Sequence, residues 1–153
     1  MKDYLAKAKE ELKRADHLIY VSLKYTRTVD IIRHTIERLI AAFDFIFAGL
    51  LEKFKENGKI KAIPTAPVQR CKLVGEAMRD DDSIAHFIDF YMLLRRLSRS
   101  KSDAENEYRR HVKMMSHLEE GDLEISIDII HEYYFKTEEF LKYIESKEEP
   151  PKQ

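Results

Sequence analysis

The sequence predicts a mostly α protein: an antiparallel up-and-down bundle of four to five helices with a small β-hairpin insertion near residues 110–127. Three observations predict it. Leu5, Leu12 and Ile19 recur seven apart, interleaved with Ala8, Ala15 and Ser22 at the same spacing, which is a helix seam with small residues. Residues 39–51, LIAAFDFIFAGLL, hold thirteen positions of which only Asp44 is charged. Residues 111–127, HVKMMSHLEEGDLEISI, switch to a period of two around Glu-Glu-Gly-Asp, the signature of a hairpin.

The first helix covers residues 3–25, and its small seam residues let a partner helix come close. Tyr25-Thr26-Arg27-Thr28 is the joint, because β-branched Thr disfavours helix interiors and either Thr suits an N-cap. A second helix runs from Val29 to Lys55. Its first half keeps Val29, Ile32, Ile36, Leu39 and Phe43 on one stripe, with Asp30, His34 and Glu37 opposite. In its second half Ala41, Phe45 and Ala48 replace the polar face, so neighbouring helices or a second subunit must cover it. Asn57-Gly58 stops the helix and Pro64 and Pro67 mark a loop. A short helix then spans residues 67–79, and Asp80 to Ser83 caps a fourth helix reaching Arg99. The fourth helix sets Ile84, Phe87, Ile88, Tyr91 and Leu94 at three- and four-residue steps. The last helix begins near Asp128, read as its N-cap, and buries Ile130, Tyr134, Leu141 and Ile144. Residues 1–147 form one domain, and the Pro-containing remainder reads as a frayed tail.

Composition narrows the function classes. With 44% apolar and 36% charged residues, 153 residues can bury a real core and disorder is excluded. A formal charge of -1 gives no global pull toward nucleic acid or membrane, so any such surface must be local. Residues 95–113 are basic and residues 119–149 acidic. The lone Cys71 rules out an internal disulfide and a Cys-cluster metal site. No segment resembles a signal core or a membrane span, so a soluble, cytoplasmic protein is expected. Abundant Lys and Glu with no Trp resembles a heat-adapted composition.

Asp30, His34 and Glu37 repeat an acid–His–acid order that Asp82, His86 and Asp89 also show. Such ligands from facing helices can bind divalent ions, but each triplet lies opposite its helix's apolar stripe, where a solvated face is expected. No metal site and no cofactor is therefore assigned. Asp44, flanked by Phe43 and Phe45, is the sharper oddity. A buried, unpaired carboxylate is costly, so Asp44 must point to an exposed groove or pair with an Arg or Lys from another helix or subunit. Arg95, Arg96, Arg99, Arg109 and Lys113 are the candidate nucleic-acid contacts, with Tyr108 as a stacking group.

The stretch IERLIAAFDFIFAGLLEKFKENGK, a helix rich in Ala and aromatics closing on Leu-Leu and Gly, resembles the HEPN superfamily when paired with the first helix. The resemblance covers residues 3–100 and the last helix. It implies an up-and-down bundle, commonly dimeric, in a family of metal-independent ribonucleases of toxin–antitoxin and defence systems alongside inert interaction modules. The family's signature is an Arg followed by a polar residue, with a His after four to six intervening residues. Arg110 and His117, with six residues between them and His111 in the polar slot, match that spacing. The chemistry implied has His moving the proton at the RNA 2′-hydroxyl or leaving oxygen while Arg steadies the phosphorane charge. The end of the fourth helix, where Arg95, Arg96 and Arg99 stand in the family's usual motif position, has no His at the required distance. On a strand, positions seven apart point to opposite faces, so the hairpin itself divides Arg110 from His117. The expected function is a HEPN-like interaction module, homodimeric through the apolar half of the second helix, with RNA or an antitoxin-type protein as partner. A metal-independent endoribonuclease using Arg110 and His117 is the alternative.

Overall fold

A computed structural model describes residues 1–148 of the chain. The element order is α1 (Lys2–His17), α2 (Val29–Glu56), α3 (Pro67–Ala77), α4 (Asp82–Arg99), β1 (Lys101–Glu105), β2 (Lys113–Leu118), β3 (Gly121–Ser126) and α5 (Ile127–Glu148). The predicted mostly α bundle with its small β insertion is what the chain adopts. Of the expected tail, Glu148 belongs to α5 and pairs with Lys53, and the rest lies outside the described residues.

The first helix departs from the simple heptad reading. After His17 it widens into a π-helical turn, Leu18–Ser22, before a last α turn, Leu23–Tyr25. The extra residue in that turn advances the seam by one position. Ala8, Ala15 and Ile19 are buried as the spacing predicts, but Leu23, 1% exposed, takes the inward place expected of Ser22. An apolar side chain thus replaces a hydroxyl in the core, which offsets the poorer hydrogen-bond geometry of the turn.

Helix α2 is the axis of the bundle. Phe43 lies at its middle, stacked on Phe140 of α5 with ring centroids 4.8 Å apart, and it also meets Phe47, Phe90 and Tyr91. The cover demanded by residues 39–51 comes from within the chain: Ala42, Phe43, Ile46, Phe47 and Leu51 are all sealed, while Ala41, Asp44, Phe45 and Ala48 are half-buried. On the α1 side, Gly49 lets Met1 and Tyr4 lie directly on the helix. Helix α2 ends as anticipated, with Gly58 at φ +74° and the Lys59 N–H donating to the Phe54 carbonyl at 2.8 Å.

Caps fix how the other elements join. The Asp81 carboxylate accepts from the N–H groups of Ser83 and Ile84, closing the start of α4, while its other oxygen accepts from Tyr143 and Lys147 of α5. These bonds, Tyr143 first, hold the Asp81 carboxyl below its ordinary value. At α5 the expectation of Asp128 as cap is corrected: the helix starts one residue earlier, and the Ser126 hydroxyl accepts from the Ile129 N–H at 3.2 Å.

The hairpin of β2 and β3 turns at Glu119–Glu120 as the period of two predicts, with Met114 and Ile125 buried against the bundle. Strand β1 was not foreseen. Its residues, KSDAE, show no apolar alternation because none of them is buried, and only pairing with β2 holds them extended. The sheet is antiparallel in the order β1-β2-β3 and faces solvent on its outer side. Among the described residues no helix is long and apolar enough to cross a membrane.

Candidate functional site

Strand geometry decides the fate of the proposed catalytic pair. Arg110 lies exposed in the β1–β2 connection, while His117 sits near the far end of β2, opposite Lys101 and Asp122. The stretch of strand from Lys113 to His117 alone spans about 13 Å. The strand therefore sets the two residues well apart along the backbone, Arg110 in the connection and His117 near the turn. His117 has other partners. Its Nδ1 is 2.8 Å from the Asp122 carboxylate and its Nε2 is 2.8 Å from that of Asp103, so one imidazole ties all three strands together. Both nitrogens can donate only when the ring is protonated, and the bonds to Asp122 and then Asp103 raise its pKa.

That direction sets a pH dependence. A His whose folded pKa is raised contributes stability that is complete below the unfolded value and is lost as pH rises through the folded value. Amide hydrogen exchange in β1 and β3 is expected to accelerate, relative to the bundle helices, as pH rises through that window, after correction for intrinsic exchange. Identical behaviour in His117→Gln would remove the imidazole from this role. Since the site is exposed, added salt weakens the effect.

The five basic candidates do not form one patch. Arg95 turns inward, its guanidinium over the Tyr91 ring and its Nη1 donating to the Tyr91 hydroxyl at 3.3 Å. Arg96 pairs with Glu120 at 3.4 Å, and Lys113 pairs with Glu124 at 2.7 Å. Arg99 is exposed at the end of α4. Arg109, with Arg110, is exposed in the β1–β2 connection, and these two have the aromatic neighbour that sequence anticipated.

That connection docks on the joint between α1 and α2. The Tyr108 N–H donates to the Arg27 carbonyl at 2.6 Å, and the Glu107 carboxylate accepts from the Val29 N–H at 3.1 Å, capping α2 where Thr28 supplies no side-chain bond. This sets the Arg27 backbone against Tyr108, two residues along the chain from Tyr25, over whose ring the Lys24 ammonium lies. Tyr25 is 78% and Tyr108 73% exposed, the two most solvent-facing large hydrophobic side chains among the described residues. Tyr108 has φ +65° and Asn106 φ +56°, left-handed conformations that Asn tolerates but that cost a tyrosine roughly 1–2 kcal/mol. The strained backbone goes with the docking of this loop on the start of α2, whereas the Tyr108 ring itself stands in water. Sequence reasoning reached Tyr108 but missed Tyr25 and Arg27, which it read only as a helix joint. Nothing in the local pattern announces that a loop some eighty residues later returns to them.

Asp44 finds its partner on another helix, but that partner is a tyrosine in place of the expected Arg or Lys. The Tyr91 hydroxyl donates to its Oδ1 at 2.5 Å, with Arg95 behind the tyrosine. Burial pushes the Asp44 carboxyl up, opposed by the Tyr91 bond and by the positive Arg95 and Arg70. Burial also raises the Tyr91 hydroxyl, so it remains a donor. The carboxyl looks into a groove of about 390 Å³ between Tyr4, Phe45, Ile63 and Arg70. Nearby Cys71 is buried, its thiol pushed up to about 12 by burial and by Asp44, which makes it a poor nucleophile at neutral pH. The chain Arg95–Tyr91–Asp44 thus holds α4 to α2. Among the described residues no three His, Cys, Asp or Glu side chains cluster to hold a metal ion.

Compared with protein-family models, curated proteins and solved structures, the chain matches none of them significantly.

Proposed function

We propose that this chain is a HEPN-like interaction module without ribonuclease activity that contacts single-stranded RNA through Tyr25, Tyr108 and the arginines around them. The observation that carries the reading is the pair of exposed tyrosines in a setting of Lys24, Arg27, Arg109 and Arg110. Stacking on aromatic faces and cations along the backbone are the two ingredients of single-strand binding without base readout. Separation of Arg110 from His117, and the two carboxylates on the imidazole, favour binding over cleavage. The antitoxin-type protein partner implied by the resemblance draws no support from these residues.

The test is retention of a short single-stranded RNA at moderate salt. Tyr108→Ala is expected to weaken binding about tenfold or more, the equivalent of one lost stacked base. Arg109→Ala and Arg110→Ala are each expected to lower the salt dependence of the affinity by about one charge. Unchanged affinity in Tyr108→Ala would overturn the reading.

The homodimer belongs to the same proposal but moves to a different face. Tyr20 and Val21 of the π turn are exposed beside His131, whose ring lies 5.0 Å from Tyr20, and Phe135 follows one turn along α5. Sedimentation at twice the 18.2 kDa chain mass, reduced to the monomer by Val21→Lys, is the expected result. A dimer untouched by that substitution would place the contact elsewhere.

A further inference from the structure

Along the outer side of the α1–α2 pair runs a groove of about 640 Å³, lined by Lys13, Arg14, His17, His34, Glu37 and Arg38. Beneath it lies Glu11, a carboxylate only 6% exposed in a helix seam otherwise made of Leu and Ala. One of its oxygens accepts from Arg14 Nη1 at 2.6 Å and the other from Arg38 Nη1 at 3.0 Å. A single buried anion therefore braces two guanidiniums from different helices. Each guanidinium spends one nitrogen on the brace and has further N–H donors left for another acceptor.

As a helix-to-helix tie alone, this arrangement is extravagant. Burying Glu11 carries a desolvation cost that two partly exposed arginines only partly offset, and an apolar residue would join the seam at less expense. What the brace does accomplish is fixed direction: two planar forks held at one groove, with the Lys13 ammonium and two imidazoles as neighbours. Set against Glu37 and the bracing Glu11, the groove gathers three permanent positive charges with two imidazoles beside them. The lining residue Leu18 is also the first residue of the π-helical turn, a distortion frequent at functional positions.

We infer that the α1–α2 groove is a phosphate-binding clamp in which Arg14 and Arg38, braced by Glu11, grip the oxygens of a phosphate group while Lys13, His17 and His34 complete its shell. The ligand class is a phosphate ester or anhydride, and the same chemistry is offered by a free nucleotide and by an RNA backbone. The clamp is separate from the tyrosine platform and does not depend on it.

The experiment follows the imidazole signals of His17 and His34 by NMR in the full chain, titrating sodium pyrophosphate at an ionic strength held constant with chloride. Saturable shifts at both rings are expected. Arg14→Lys combined with Arg38→Lys keeps every charge and lets Glu11 stay paired, but removes the forks, and is expected to weaken binding at least fivefold with the fold intact by circular dichroism. Equal affinity in that variant, or shifts that never saturate, would overturn the clamp. A single-stranded RNA octamer then separates the sources. Displacement of pyrophosphate by RNA assigns the clamp to backbone phosphates, whereas retention of both ligands assigns it to a small phosphate compound, and either outcome supports it. Because pyrophosphate reports on the groove alone, a failed clamp and a failed tyrosine platform give different results: the first loses the titration, the second leaves RNA affinity unchanged in Tyr108→Ala.

Discussion

Phe43→Ala is expected to lower the free energy of unfolding by about 3–5 kcal/mol, the range for truncating a buried phenylalanine. The ring is fully sealed and touches aromatic side chains from three helices: Phe47 on its own helix, Phe90 and Tyr91 on α4, and Phe140 on α5. Loss of the ring removes its burial and also leaves a cavity that four stiff rings cannot collapse to fill. Domains of this size are stable by about 5–15 kcal/mol, so the variant will be near the edge of folding at 37 °C. Urea denaturation at 25 °C measures the cost. A loss below about 1 kcal/mol would mean that Phe43 is not at the centre of the bundle.

Gly49→Ala is expected to destabilise the protein by about 1–2 kcal/mol, although alanine is the better helix former by about 0.5–1 kcal/mol. An added Cβ would stand 2.6 Å from the Met1 sulfur and 2.8 Å from Tyr4 Cβ. The sulfur can swing away, since it ends a flexible side chain. The Tyr4 Cβ cannot, because it is fixed to the backbone of α1, so the first turn of that helix must shift as a body. The melting temperature is expected to fall by several degrees, given about 2–4 °C per kcal/mol at this chain length. A melting temperature equal to or above that of the parent would show that α1 does not approach α2 as closely as this.

Helices and hairpin were legible because burial writes a period into the chain. Leu5, Ala8, Leu12 and Ala15 face α2, and Met114 and Ile125 face the bundle from the sheet, so each spacing carried its own structure. Elements without a buried face carried none: β1 exists only through its pairing with β2, and KSDAE reads as loop for that reason. The π turn was invisible for the opposite reason, since a heptad projected forward assumes an unbroken pitch and reaches Ser22 instead of Leu23. In the site, Asp44 was recognisable as a misfit between two phenylalanines, while its partner Tyr91 was assigned to the buried stripe of α4 with no hint that its hydroxyl faced Asp44. The Arg110–His117 spacing was read in one dimension. Extended backbone turns that spacing into distance, and the same strand gives His117 two carboxylates instead. The Glu11 brace was hidden because a charged residue in a helix rich in Lys and Glu looks like solvent-facing decoration.

The cap on α2 has a consequence for the order of events in folding. Its first N–H is met by a carboxylate 78 positions further along the chain. During synthesis the longest rod of the protein therefore leaves the ribosome with an open end, and about 1 kcal/mol of its stability arrives only once the small sheet has formed and swung its connecting loop into place. The sheet, which contributes little to the core, acts as the latch that completes the bundle.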